Sequence, residues 1–190
     1  MMRNKRRGRL FIISAPSGTG KSTVIARLMQ MNQELVFSVS ATTRPPRQGE
    51  ADGISYRFLT REAFEDCIRT GDFLEYAEYV GSYYGTPKKA VLDHLAAGED
   101  VILDIDVVGC KQVKAAMPEA VTIFIVPPSM EELERRLRSR GTDDEEKLAG
   151  RLLRARSELL EKDGYDYVVV NDTVETASRE ILHIMDSTTD

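Results

Sequence analysis

Five short runs of apolar, largely β-branched residues punctuate the chain, at 10–15, 36–40, 101–105, 121–126 and 167–170. Each is nearly continuous rather than alternating, the pattern of strands covered on both faces in a parallel sheet. Between them the apolar spacing changes to threes and fours. Val24, Leu28 and Met31 predict a helix over 23–31. Val174, Ala177, Ile181 and Ile184 predict another near the end, capped by Asp172 with Glu175 three residues on. Strands alternating with helices predict a doubly wound α/β core with helices on both faces of a five-stranded parallel sheet.

Two regions break the alternation. Residues 41–92 are rich in Arg, Tyr, Gly and Pro, with strand-like pieces at 56–58 and 74–79. A helix is signalled there by Thr60 as N-cap, with Leu59 and Phe64 spaced as a hydrophobic staple. The stretch is too long for a loop and predicts a small inserted α+β domain. Residues 129–162 hold eighteen charged side chains in thirty-four, and two capping boxes, Ser129…Glu132 and Thr142…Glu145, start helices around Gly141. Their apolar positions are few (Leu133, Leu137, Leu148, Leu152, Ala155, Leu159), which predicts light packing and a mobile helical lid. The expected division is a basic tail over 1–9, core segments over 10–40, 93–128 and 163–190, the insert over 41–92 and the lid over 129–162.

Composition narrows the partners. A chain 42% hydrophobic and 30% charged reads as soluble and globular. No apolar run approaches the roughly 20 residues of a membrane span. The apolar stretch behind the basic N-terminus is far too short for an export signal, so a cytoplasmic location is expected. Five of the 26 basic groups lie in the first nine residues, which leaves 21 against 31 acidic ones in the rest. So acidic a body makes no general nucleic-acid binder, and the cluster from Arg3 to Arg9 reads as a solvated tail. Cys67 and Cys110 are far apart, and His94 and His183 are the remaining soft ligands, which supports neither zinc nor a disulfide scaffold.

The strongest local signal is Ala15-Pro16-Ser17-Gly18-Thr19-Gly20-Lys21-Ser22, between the first strand and the first helix. Glycines let successive N–H groups curl round an anion, and the helix N-terminus adds its dipole. Lys21 supplies a point charge for β- and γ-phosphates and the Ser22 hydroxyl suits Mg²⁺, so a nucleoside triphosphate is bound. Ala15 stands where the G-x-x-x-x-G-K-[ST] pattern has glycine, and Gly18 compensates in part. Asp104 closes an apolar strand where such folds hold the water shell of the metal, with Asp106 on the same side of an extended chain.

The insert suggests what accepts the phosphate. Arg44-Pro45-Pro46-Arg47 holds two guanidinium groups three residues apart, followed by Glu50, Tyr56, Glu75 and Tyr83-Tyr84-Gly85-Thr86. Arginine forks and tyrosine hydroxyls suit a phosphate monoester. A buried carboxylate such as Glu75 can accept from two adjacent donors on one base edge, which guanine offers and adenine does not, and a Ser or Thr hydroxyl can serve the remaining edge.

With these motifs, joined by Leu103-Asp104-Ile105-Asp106 and Arg140-Gly141-Thr142, the chain resembles the guanylate kinase family over about residues 9–186. The resemblance implies a P-loop NTPase-type fold with a GMP-binding insert and a lid, and Mg²⁺-dependent transfer from ATP to GMP. It implies an ATP site of Ala15, Pro16, Ser17, Gly18, Thr19, Gly20, Lys21, Ser22 and Thr23 with Arg136 and, at the adenine, Asn171. It implies that Arg44, Arg47, Tyr56 and Tyr84 hold the GMP phosphate, and that Ser40, Glu75 and Thr86 read guanine. Asp104 would sit between GMP and metal-bound water, while Ser22 would hold the Mg²⁺ itself. Lys21, Arg44, Asp104, Arg140 and Arg151 would form the catalytic set. A catalytically silent interaction module and a sugar-phosphate kinase of the same fold are the rival readings, and a homo-oligomer is left open.

Overall fold

A computed structural model describes residues 6–139 and 145–188. In chain order its strands are β1 (Leu10–Ser14), β2 (Val36–Phe37), β3 (Ala41–Thr42), β4 (Arg57–Phe58), β5 (Phe73–Tyr79), β6 (Ser82–Pro87), β7 (Val101–Asp104), β8 (Val121–Val126) and β9 (Tyr167–Val170). Its helices are α1 (Lys21–Met31), α2 (Arg61–Thr70), α3 (Lys88–Ala97), α4 (Val107–Ala116), α5 (Met130–Ser139), α6 (Glu145–Leu159) and α7 (Val174–Ser187). A five-stranded parallel sheet runs β2-β7-β1-β8-β9, and a second sheet runs β4-β3-β6-β5. The α/β architecture is the one the apolar runs predict. The chain clusters into two compact units, one of the chain up to Phe11 with Glu34–Ala120, the other of Ile12–Gln33 with the chain from Val121.

In the first unit β2 pairs parallel with β7, Val36 opposite Val101. It spans two residues, where the apolar run predicts five. The second sheet is the insert. Its β5–β6 hairpin turns at Val80-Gly81, both with positive φ (49° and 75°), the geometry of the tight turns that match strand twist. The resulting register sets Glu75 opposite Thr86 and Ala77 opposite Tyr84. Thr60 caps α2 as its spacing predicts, accepting from the Ala63 N–H. The basic stretch before β1 is not merely solvated: Arg6 and Arg9 both reach Asp100, and the Gly8 N–H donates to the Leu95 carbonyl. Arg3 and Lys5 lie outside the described residues.

In the second unit β8 pairs parallel with β9, from Ile123 opposite Tyr167 to Val126 opposite Val170. Here the expectation of two covered faces fails. Val169 is buried, but Tyr167, Val168 and Val170 are exposed, because β9 is the last strand of its sheet. α1 begins at Lys21, two residues earlier than the apolar spacing predicts. α7 is capped by Thr173, whose hydroxyl accepts from the Thr176 N–H, and not by Asp172. Ser129 caps α5 through the Glu132 N–H, as its motif predicts, whereas Thr142 lies outside the described residues. Along α5 and α6 the thin apolar stripe gathers Leu133, Leu137, Leu148 and Ala155 into one buried cluster. Among the described residues no helix is long and apolar enough to cross a membrane.

Candidate functional site

The phosphate loop lies in the second unit, between β1 and α1. Positive φ falls at Gly18 (91°) and Gly20 (93°), and Ala15 is not among the positive-φ residues. Those two positions need glycine, so alanine at the first position of the motif costs the loop nothing. Gly18 also lies under α5, where an added Cβ would meet the Leu137 side chain at 2.6 Å. Gly20 starts α1 without a side-chain cap, and the first turn holds Lys21, Ser22 and Thr23 with no acidic residue. The helix dipole there is left uncompensated, which suits an anion. Pro16 and Thr19 are buried, Ala15, Ser17 and Lys21 half-buried, and Ser22 and Thr23 exposed.

Two side chains expected at ATP brace this loop from behind. Asn171 is 2% exposed. Its N–H donates to the Val126 carbonyl as β9 ends, and its Nδ2 donates to the Thr19 carbonyl at 2.7 Å. Arg136 donates to the same Thr19 carbonyl at 3.3 Å and to the Asn171 and Asp172 carbonyls, with Glu132 on its Nε. Asn171, expected at the adenine, thus turns its Nδ2 toward the loop, while its buried Oδ1 has no hydrogen-bond partner among the described residues. Arg151 is half-buried on α6, and Arg140 lies outside the described residues.

In the first unit a cavity of about 180 Å³ is lined by Ser40, Tyr56, Glu75, Tyr84, Asp104 and Asp106, among others. The structure thus gathers most of the expected acceptor residues. Thr86 joins them by donating its hydroxyl to Glu75 Oε1 at 2.6 Å. The Arg44 guanidinium lies 4.9 Å over the Tyr56 ring, whose edge meets Tyr84 at 6.0 Å. Arg47 is exposed, and its N–H donates to Glu50. Asp106 does not act as a twin of Asp104. Its carboxylate caps α4 through the Gly109 N–H at 2.9 Å, which re-aims the chain after β7.

Burial pushes the Glu75 carboxyl up to about 7, against the Thr86 hydrogen bond that favours its charged form. Burial, then the nearby Asp104 charge, raises the Tyr56 phenol. Glu50 is a residue to which sequence reasoning gave no role. Its two oxygens take both terminal nitrogens of Arg44 at 2.6 Å, and that pairing, helped by the Arg47 N–H, holds the carboxyl near 2. The motif placed Glu50 beside the arginines but carried no sign of this pairing. Gly109 and Gln112 on α4 also escaped notice. Among the described residues no cluster of three His, Cys, Asp or Glu could hold a metal. Exposed Ser22 in the second unit and half-buried Asp104 in the first each carry oxygen donors of the kind that hard cations take.

The family model described as guanylate kinase matches residues 7–188. The chain belongs to the guanylate kinase family. The guanylate kinase of Synechococcus sp. (strain JA-3-3Ab) is 50% identical over 175 residues, covering 92% of this chain and 81% of that protein. That of Neisseria gonorrhoeae (strain ATCC 700825 / FA 1090) is 52% identical over 182 residues, covering 96% and 89%. Among solved structures, guanylate kinase from Anaplasma phagocytophilum superposes with a TM-score of 0.79 at 36% identity, covering 96% of this chain and 87% of that one.

Proposed function

We propose that the chain transfers the γ-phosphoryl group of ATP to GMP, giving ADP and GDP. The observation that carries this reading is the buried Glu75–Thr86 pair in a cavity shared with Tyr56 and Tyr84, with Arg44 stacked on Tyr56. Ionised Glu75 accepts from guanine N1–H and N2–H₂, while Thr86 and Ser40 meet the remaining edge. Arg44, Arg47, Tyr56 and Tyr84 hold the phosphate by directed hydrogen bonds.

The loop around Lys21 takes the ATP phosphates on its N–H groups, and Arg136 and Asn171 enter the ATP site through the loop that they brace. A GMP phosphate oxygen, already ionised, forms the new bond to the γ-phosphorus as the bond to the β–γ bridging oxygen breaks. ADP leaves, no protein nucleophile intervenes, and no proton need move. Charge spreads over three equatorial oxygens, where Lys21, Arg44, Arg140 and Arg151 neutralise it. Ser22 and, through water, Asp104 would hold Mg²⁺, which would supply further charge neutralisation.

ADP release measured across the four common nucleoside monophosphates tests the assignment. GMP should be strongly preferred, and equal turnover with AMP would refute the base pocket. Intact Lys21, Ser22 and Asp104 count against a silent module, and the carboxylate–hydroxyl pair counts against a sugar phosphate as acceptor.

A further inference from the structure

Gly109 is a glycine in the first turn of α4, and its backbone there is not in the left-handed region that would call for glycine. In such a position glycine costs roughly 0.5–1 kcal/mol relative to alanine, so conformational freedom does not account for it. Space does. A Cβ built on Gly109 would lie 2.7 Å from Glu75 Oε2, 3.1 Å from its Cδ and 3.4 Å from its Cγ, with no backbone atom among its three nearest neighbours. The face of the glycine forms the floor on which the Glu75 carboxylate rests.

Two contacts keep the helix from backing away. The Tyr76 N–H donates to Gln112 Oε1 at 3.2 Å, and Gln112 Nε2 donates back to the Tyr76 carbonyl at 3.1 Å. One turn beyond Gly109, α4 is therefore tied to β5 at the residue next to Glu75. The Gly109 N–H is in turn held by Asp106. With the backbone held at both points, the movable party is the tip of the Glu75 side chain, whose other oxygen carries the 2.6 Å bond to Thr86.

We propose that Gly109 is a specificity-determining residue. Its missing side chain positions the Glu75 carboxylate for the two adjacent N–H donors of guanine, and any larger residue there loosens the reading of the base. This rests on the proposed role of Glu75, and the test separates the two.

Gly109→Ala, Glu75→Gln and the double variant are assayed with GMP and with inosine monophosphate, which lacks the exocyclic amino group, and melting curves are recorded alongside. Gly109→Ala should raise KM for GMP and lower the preference for GMP over inosine monophosphate, each by about tenfold or more. KM for ATP and the melting temperature should hold, since alanine suits a helix better than glycine. In the Glu75→Gln background the same alanine should change selectivity hardly at all, because the reader it displaces is already disabled. Unchanged selectivity in Gly109→Ala, with Glu75→Gln clearly impaired, overturns the role of Gly109 and leaves that of Glu75 standing. Unimpaired Glu75→Gln overturns the base pocket itself, and with it this proposal. If Gly109→Ala fails to fold, Gly109→Ala/Glu75→Ala should fold again because the colliding atoms are gone, and a double variant that also fails refutes the proposal.

Discussion

Ionisation of Glu75 should couple GMP binding to pH. Burial holds its carboxyl near 7 rather than at the ordinary 4.5. At about 1.4 kcal/mol per pH unit, charging this group costs about 3 kcal/mol more than charging it in water. Guanine supplies the two donors that repay desolvation, so the complex takes the ionised form and the free protein must give up its proton first. At pH 8 about nine-tenths of the free protein is ready, at pH 7 about half, and at pH 6 about a tenth. GMP affinity should therefore fall about tenfold from pH 8 to pH 6 through this group alone. The phosphate of GMP, with its second ionisation near pH 6, adds about twofold more.

Calorimetry in two buffers of different ionisation enthalpy counts the protons directly: about half a proton should leave per GMP bound at pH 7, and close to none in Glu75→Gln. The linked effect on the unliganded fold has a definite sign. A carboxyl raised in the folded state contributes stability that is present in full below 4.5 and is lost as pH rises through 7. The wild-type melting temperature should accordingly decline from pH 5 to pH 8 relative to Glu75→Gln. Equal proton release and equal pH profiles in the two proteins would refute the reasoning.

Three further outcomes follow from the same geometry. Lys21→Ala should lower kcat by roughly a hundredfold or more without moving the melting temperature, and near-normal turnover would remove the phosphate-loop assignment. Asn171→Ala should cost about 1–2 kcal/mol, since it deletes the 2.7 Å bond to Thr19, and should raise KM for ATP while leaving that for GMP; an unaltered KM for ATP would mean that the brace does not shape the loop. Val80→Asn relieves a β-branched residue at φ 49° and creates an Asn-Gly turn, so it should add about 1 kcal/mol and raise the melting temperature by about 2–4 °C. A drop in that temperature would show that the turn is not strained.

The parts of the fold legible in the sequence are those whose cause is local. Runs such as Ile123-Phe124-Ile125 mark sheet strands because a short, β-branched run buried on both faces suits a central strand. The same rule misjudges Tyr167-Val168-Val169-Val170, for an edge strand carries the same residue types and only the order of strands shows that one side lies open. The cap of α7 also slipped by one residue. Asp172 and Thr173 are both good caps, and the structure uses Thr173, the third residue after Val170, where β9 makes its last pair. Arg136 and Asn171 are expected at ATP from the family motifs, but their carbonyl partners at Thr19, Asn171 and Asp172 belong to the tertiary structure, and those make them braces of the loop.

The two halves of the chemistry differ in this respect. A phosphate loop builds its site from consecutive N–H groups and the next helical turn, so eight residues of sequence suffice to declare it. A carboxylate that reads a base must first be taken out of water, and the atoms that do so come from elsewhere. For Glu75 they are the Thr86 hydroxyl on the next strand and the bare face of Gly109 on α4. Glu78, on the same strand, has the same side chain and the opposite fate: it is exposed and lies 4.0 Å from Arg61. The two lie three residues apart, on opposite faces of β5. What separates them is a helix tied down by Gln112 over one and open solvent over the other, so the specificity of this pocket belongs to the packing of α4 as much as to the acid that touches the base.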